Sequence, residues 1–179
     1  MTEKLENELT NAEVSEYLVK IGVLYDRQFS YTKVEQLERL LSDNLSKVKE
    51  RISTNPTAHQ YIPYMHLNMD KYRVKIISPP WIHAEYNYRE DTIDFSVLQL
   101  LTSEKGETQE TILHEEAHRV DFTSHNIKVT DDTPDSELHG PRWFKIYKAL
   151  GGKSRTFYGT PSYGPGSNLW EKEGLKEET

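Results

Sequence analysis

Apolar residues recur at helical spacing twice in the first third of the chain. Val14, Tyr17, Leu18, Ile21 and Leu24 form the first stripe, and Thr10 with Glu13 fits a capping box at its start. Val34, Leu37, Leu41, Leu45, Val48 and Ile52 form the second. They follow another box, Thr32 with Glu35, and predict a helix of about five turns. Asn55-Pro56-Thr57 ends it. The pattern then changes to period two. Tyr72, Val74 and Ile76 alternate with polar neighbours, which predicts a strand ending at Pro79-Pro80. Ala84, Tyr86 and Tyr88 alternate next, and Ile93 with Phe95 follow after Arg89-Glu90-Asp91, as in a hairpin. A small sheet of about three strands is expected before the remaining helices.

Val97 to Leu101 reads as a short helical turn, broken at Lys105-Gly106. The segment TILHEEAHRVDF reads as a helix capped by Thr108, with Glu110 in its first turn and its end near Phe122. Asn126 to Ser136 is a polar, acidic loop whose spacing fits no EF-hand. Pro141, pre-organised for a first helical position, opens the last helix. Trp143, Phe144, Tyr147 and Leu150 supply its apolar side, and Gly151-Gly152 stops it. FYGTPSYGPGSNLW beyond reads as an extended segment, and residues 171–179 as a frayed end. The fold class is therefore α+β in one domain.

The pentapeptide His114-Glu115-Glu116-Ala117-His118 carries the chemistry. Residues four apart on a helix share a face, so both imidazoles can reach one metal ion. Glu115 is placed to reach a water at that ion, which is the minimal apparatus of a zinc hydrolase. Roughly one chain in a few hundred of this length would carry H-E-x-x-H by accident. The apolar neighbours Ile112, Leu113, Ala117, Val120 and Phe122 argue for a core-packed helix instead of a solvated one. Histidines beside a buried face need a partner or a metal.

Catalytic zinc takes three protein ligands. His125, Glu137, Asp121 and His139 compete for the third place. The metzincin spacing fails, because its glycine and histidine positions hold Asp121 and Ser124. Glu137 precedes the helix that would have to carry it. Asp121 suits orienting a histidine better than binding. His139 sits at a rigid Gly140-Pro141 junction that can hold its ring, and is the preferred candidate. His59, His66 and His83 lack paired spacing and read as ordinary residues.

Composition narrows the setting. The chain has 179 residues, enough for one domain with a tail, and 11% aromatic content that can fill a small core. It has no cysteine, which excludes disulfides and thiolate ligands. An acidic, polar start and no apolar run of membrane length lead to an expected cytoplasmic location. The net charge is −7, yet Gly140 to Trp170 holds Arg142, Lys145, Lys148, Lys153 and Arg155 and no acid. With Trp143, Tyr147, Phe157 and Tyr158 among them, that stretch is a candidate patch for an anionic partner, DNA included.

TILHEEAH, a loop, and then HGPRWFKIYKALGG together resemble the SprT-like zinc metalloprotease family, which includes the protease domain of Spartan. The resemblance spans roughly 32–152 and implies a zincin-like fold. It makes 1–31 an N-terminal helical extension and 153–179 a C-terminal one. It implies His114, His118 and His139 as ligands of one zinc ion and Glu115 as catalytic base, acting on protein or peptide substrates, with DNA-bound proteins among them. The cysteine zinc ribbon of many members is missing. Arg142, Tyr147 and Tyr158 are candidates for an oxyanion or substrate contact, Tyr147 reading better as core. A zinc-stabilised protein- or nucleic-acid-binding module without proteolysis is the rival reading.

Overall fold

A computed structural model describes residues 9–21, 33–77, 82–130, 132–133 and 138–153. Helix α1 (Asn11–Ile21) starts at the expected capping box, where the Thr10 amide donates to Glu13 Oε2 at 2.7 Å and the Glu13 amide donates back to Thr10 Oγ1 at 3.2 Å. Helix α2 (Val34–Ser53) buries Leu37, Leu41, Leu45, Val48 and Ile52, the predicted stripe. Its cap is shifted by one residue from the expected box. Lys33 caps it, its amide donating to Gln36 Oε1 at 3.1 Å. Asn11 of α1 also accepts from the Val34 amide at 2.8 Å, so one helix start closes another. Leu24 and Thr32 lie outside the described residues.

A 3-10 segment, Pro56–Tyr64, follows with Asn55 as its cap. Strand β1 (Tyr72–Lys75) buries Tyr72 and Val74, while Ile76 lies past its end and is exposed. Strands β2 (Ala84–Asn87) and β3 (Thr92–Ser96) form the expected antiparallel hairpin, with Tyr86 opposite Ile93. Tyr88 falls in the turn, where Asp91 adopts a left-handed φ of 54°. Strand β3 is central. It pairs parallel with β1, Tyr72 opposite Ile93, in the order β1-β3-β2. Every residue of β3 is buried, polar ones included, because a strand with a neighbour on each side has no solvated edge.

Helix α3 (Val97–Thr102) leads into α4 (Glu107–Ser124). Gly106, not Thr108, caps α4. Its φ of 94° suits glycine, and Thr108 is buried as the second residue of the first turn. Helix α4 ends two residues past Phe122 and packs against α2, β2 and α5 (Pro141–Ala149). Gly151, at a left-handed φ of 96°, closes the last helix, the Gly152 amide donating back to the Tyr147 carbonyl at 2.9 Å, and the Gly152 backbone lies on the Tyr147 ring. A Cβ there would meet Tyr147 Cζ at 2.2 Å. Phe95, Leu41, Leu45, Ile112, Leu113, Trp143, Ile146 and Tyr147 are among the fully buried side chains of the core around α4.

The mixed α+β class, the three-stranded sheet and the single small domain are thus as expected. Among the described residues no helix is long and apolar enough to cross a membrane.

Candidate metal centre

Helix α4 is buried on nearly every side. Residues 115–121 are all buried, and five of the seven are charged or polar. A buried polar group needs a partner, and on a helix successive side chains point about 100° apart. Each therefore finds its partner on a different element. Glu115 accepts from the Tyr86 amide of β2 at 2.9 Å. Glu116 accepts from the Tyr72 hydroxyl of β1 at 2.6 Å. Arg119 grips Asp91 of the hairpin turn with Nε at 2.8 Å and Nη2 at 3.0 Å. Asp121 accepts from Arg142 of α5 through both carboxylate oxygens.

One direction remains, and it holds His114 and His118. His114 Nε2 and His118 Nε2 lie 3.2 Å apart. His139, buried just before α5, brings its Nε2 to 3.0 Å from His118 and 3.2 Å from His114. Three ring nitrogens thus make a nearly equilateral triangle. Hydrogen bonding among themselves cannot account for it. In a neutral imidazole each nitrogen is either donor or acceptor, so three mutual contacts leave at least one pair with like groups opposed, two lone pairs or two N–H. A cation on the axis of the triangle satisfies all three. Zinc–imidazole bonds of about 2.0–2.1 Å at tetrahedral angles put ligand nitrogens about 3.3 Å apart, close to the triangle seen. The three histidines are close enough to hold a metal ion.

The protonation of His118 agrees. Burial drives the His118 pKa well below its ordinary 6.5, and the neighbouring His139 and His114 push it the same way. A neutral ring is the form that binds metal. Trp143 forms the floor. Its ring lies 5.2 Å from His118 in a stacked arrangement, 4.8 Å from His114 and 4.9 Å from His139 edge-on. Tyr147 stacks beneath Trp143 at 5.4 Å, as the core residue it was read to be.

Glu115 stands beside the triangle. Its Oε2 is held by Tyr86, while Oε1 lies 3.8 Å from His114 Nε2. Burial pushes its carboxyl up to about 8, against the pull of the Tyr86 amide; the charges of Glu85 and Glu116 add to the rise.

The other candidates fall elsewhere. Asp121 is turned to Arg142 and to His125, whose Nδ1 lies 3.2 Å from its Oδ1. Arg142 is engaged in an ion pair with Asp121. His66 lies 3.5 Å from Asp91, and His59 sits near the Ser53 carbonyl. Lys145, Lys148 and Lys153 are exposed, the first two along α5, and Lys148 Nζ rests 5.9 Å from the Phe144 ring. Glu137, Arg155, Phe157 and Tyr158 lie outside the described residues.

Tyr72, Asp91 and Tyr86 support α4 but carry no signal in the linear sequence. Glu116 and Arg119 carry one: charged residues inside a helix that is apolar on both flanks must be paired.

No protein-family model, curated protein or solved structure matches the chain. The residues themselves carry the functional reading.

Proposed function

We propose that this chain is a zinc-dependent metalloendopeptidase of SprT-like type. The observation that carries the reading is the two-sided setting of Glu115: one carboxylate oxygen is fixed by a backbone amide, and the other is presented to the histidine triangle. A carboxylate that only oriented a ligand would meet the far ring nitrogen, whereas Glu115 Oε1 faces His114 Nε2, the nitrogen turned into the triangle. Three imidazoles and no thiolate also match the donor set of an ion that keeps a position open.

His114, His118 and His139 would hold a zinc ion, which would supply Lewis acidity, lowering the pKa of a water toward about 7 and polarising a carbonyl. The remaining work belongs to the side chains. Glu115 Oε1 takes the proton of the attacking water and returns it to the leaving amine nitrogen. The Tyr86 amide holds Oε2, so the carboxylate turns little between the two transfers. A divalent cation nearby favours the charged carboxylate and opposes the upward push of burial. Trp143 excludes water from the floor and keeps the three rings converged. Polypeptides are the substrate class. Exposed Lys145, Lys148 and Lys153 support docking of an anionic partner such as DNA carrying a bound protein.

The test is cleavage of an unfolded protein by the zinc-loaded chain and by Glu115→Gln. Cleavage by the first and not the second is expected. Cleavage by neither would favour the rival reading, a zinc-stabilised binding module.

A further inference from the structure

A groove opens beside the candidate metal centre, at the C-terminal end of α4. Its shape follows from how that helix ends. Asn126 takes a left-handed φ of 50°, and the Ile127 amide donates back to the Phe122 carbonyl at 3.0 Å. This is the Schellman closure, which turns the chain back and brings an apolar residue over the last turn. Ile127 and Val129 therefore return along the flank of Phe122. Opposite them stand Tyr86 and Tyr88 at the end of β2, which is an edge of the sheet among the described residues. The cavity between is about 660 Å³, with Thr123, Asn126, Lys128 and Thr130 at its rim.

Two contacts make the groove continuous with the site. The Phe122 ring lies 5.8 Å from the His118 ring and 5.8 Å from Tyr86. Tyr86 is also the residue whose amide holds Glu115. Phe122 and Tyr86 are thus shared between the groove and the surroundings of Glu115. Its walls are aromatic and aliphatic, half-buried and not closed by the core. A volume in the range of about 300–1,000 Å³ suits a large side chain with its flanking backbone.

We propose that this groove is a specificity site that receives a large apolar side chain, aromatic or long aliphatic, from the substrate polypeptide next to the bond to be cleaved. This rests on the peptidase reading for its role, though the binding step itself can be observed without turnover. Lys128 and the threonines keep the rim wet, so backbone and polar neighbours of the bound residue stay solvated. The occupant is the substrate, since two of the groove's walls belong to the site as well: Phe122 packs against His118, and Tyr86 holds Glu115.

Two measurements test it. In the first, amide NMR spectra of the full chain without added metal are recorded with acetylated Ala-Phe-Ala and Ala-Ala-Ala amides. Shifts in the amides of residues 122–130 with the first peptide only, lost in Ile127→Glu, are expected. No shift there, or the same shift with both peptides, overturns the proposal. Shifts that depend on protein concentration without peptide would assign the groove to a second copy and overturn it too. In the second, the zinc-loaded chain digests a peptide library. Enrichment of Phe, Tyr, Leu or Met at one position flanking the cut is expected, about tenfold over Ala. Ile127→Glu should move that preference toward Lys and Arg. A flat profile, or a profile unchanged in the variant, overturns the assignment. An absence of all cleavage contradicts the peptidase reading, while the NMR result decides the groove by itself.

Discussion

Arg142 closes on Asp121 and so ties the first turn of α5 to the C-terminal half of α4. Its Nη2 lies 3.2 Å from Asp121 Oδ2, and its Nε meets the other oxygen. Asp121 is 1% exposed. His139 stands three residues before Arg142, so this pair sets where the third ring arrives relative to the first two. We expect Arg142→Met to leave a buried carboxylate with only His125 beside it. The loss of stability should be about 1–3 kcal/mol, the half-exposed arginine screening part of the pair. Zinc affinity should fall with it by roughly tenfold, as for other groups that orient ligands. Denaturant melts and competition with a chelating dye measure both, and an unchanged affinity would separate His139 from this pair.

Glu115→Gln should keep zinc and lose hydrolysis. A glutamine can still accept from the Tyr86 amide, so the fold is preserved, but it cannot take a proton. A rate drop of about 10²–10⁴-fold is expected. Elemental analysis alongside a protease assay checks it, and a variant that cleaves at the wild-type rate rules Glu115 out as base.

His139→Ala should lower bound zinc well below one ion per chain, as should His114→Ala and His118→Ala. Because the ion binds the folded triangle, chelation should lower the melting temperature of the wild type and barely move that of His139→Ala. Equal shifts in both proteins would remove His139 from the ligand set.

Metal-free protein should lose stability as the pH rises. Burial lifts the Glu116 carboxyl from its ordinary 4.5 to about 7, partly offset by the Tyr72 hydroxyl, Arg119 and the His66 amide. The folded chain then holds that proton more tightly than the unfolded chain. Its contribution is fully present below pH 4.5 and is lost by about pH 7, on the order of 3 kcal/mol. His118, with its pKa depressed, acts in the opposite sense, its share of stability falling as the pH drops below 6.5. Comparing wild type with Glu116→Gln cancels that share. The variant should show a flatter pH dependence of melting between pH 4.5 and 7, and parallel curves would mean that Glu116 is ionised throughout.

Much of the secondary structure was legible in the chain. The α2 stripe, the hairpin, the helix that opens at Pro141 and the pairing of His114 with His118 all follow from periodicity, because the 3.6- and 2-residue repeats record which side is buried. Cap positions were less so. Gly106 replaces Thr108 because a left-handed backbone at the helix start is decided by the chain's path, and Lys33 with Gln36, on an extended backbone, takes the place of Thr32 with Glu35.

Local spacing alone determined that two histidines and a glutamate share one helix turn, since the helix imposes that geometry whatever surrounds it. Tertiary structure decided everything that crosses between elements. It placed β3 in the centre with β1 parallel to it, delivered His139 to within 3.2 Å of both other rings, and turned Arg142 to Asp121. It also found partners for Glu116 and Arg119 on β1 and the hairpin turn. Those contacts join residues far apart in sequence, and which of them form depends on how α4 is buried on every side at once. A polar residue inside such a helix announces that it needs a partner, and only packing chooses which one.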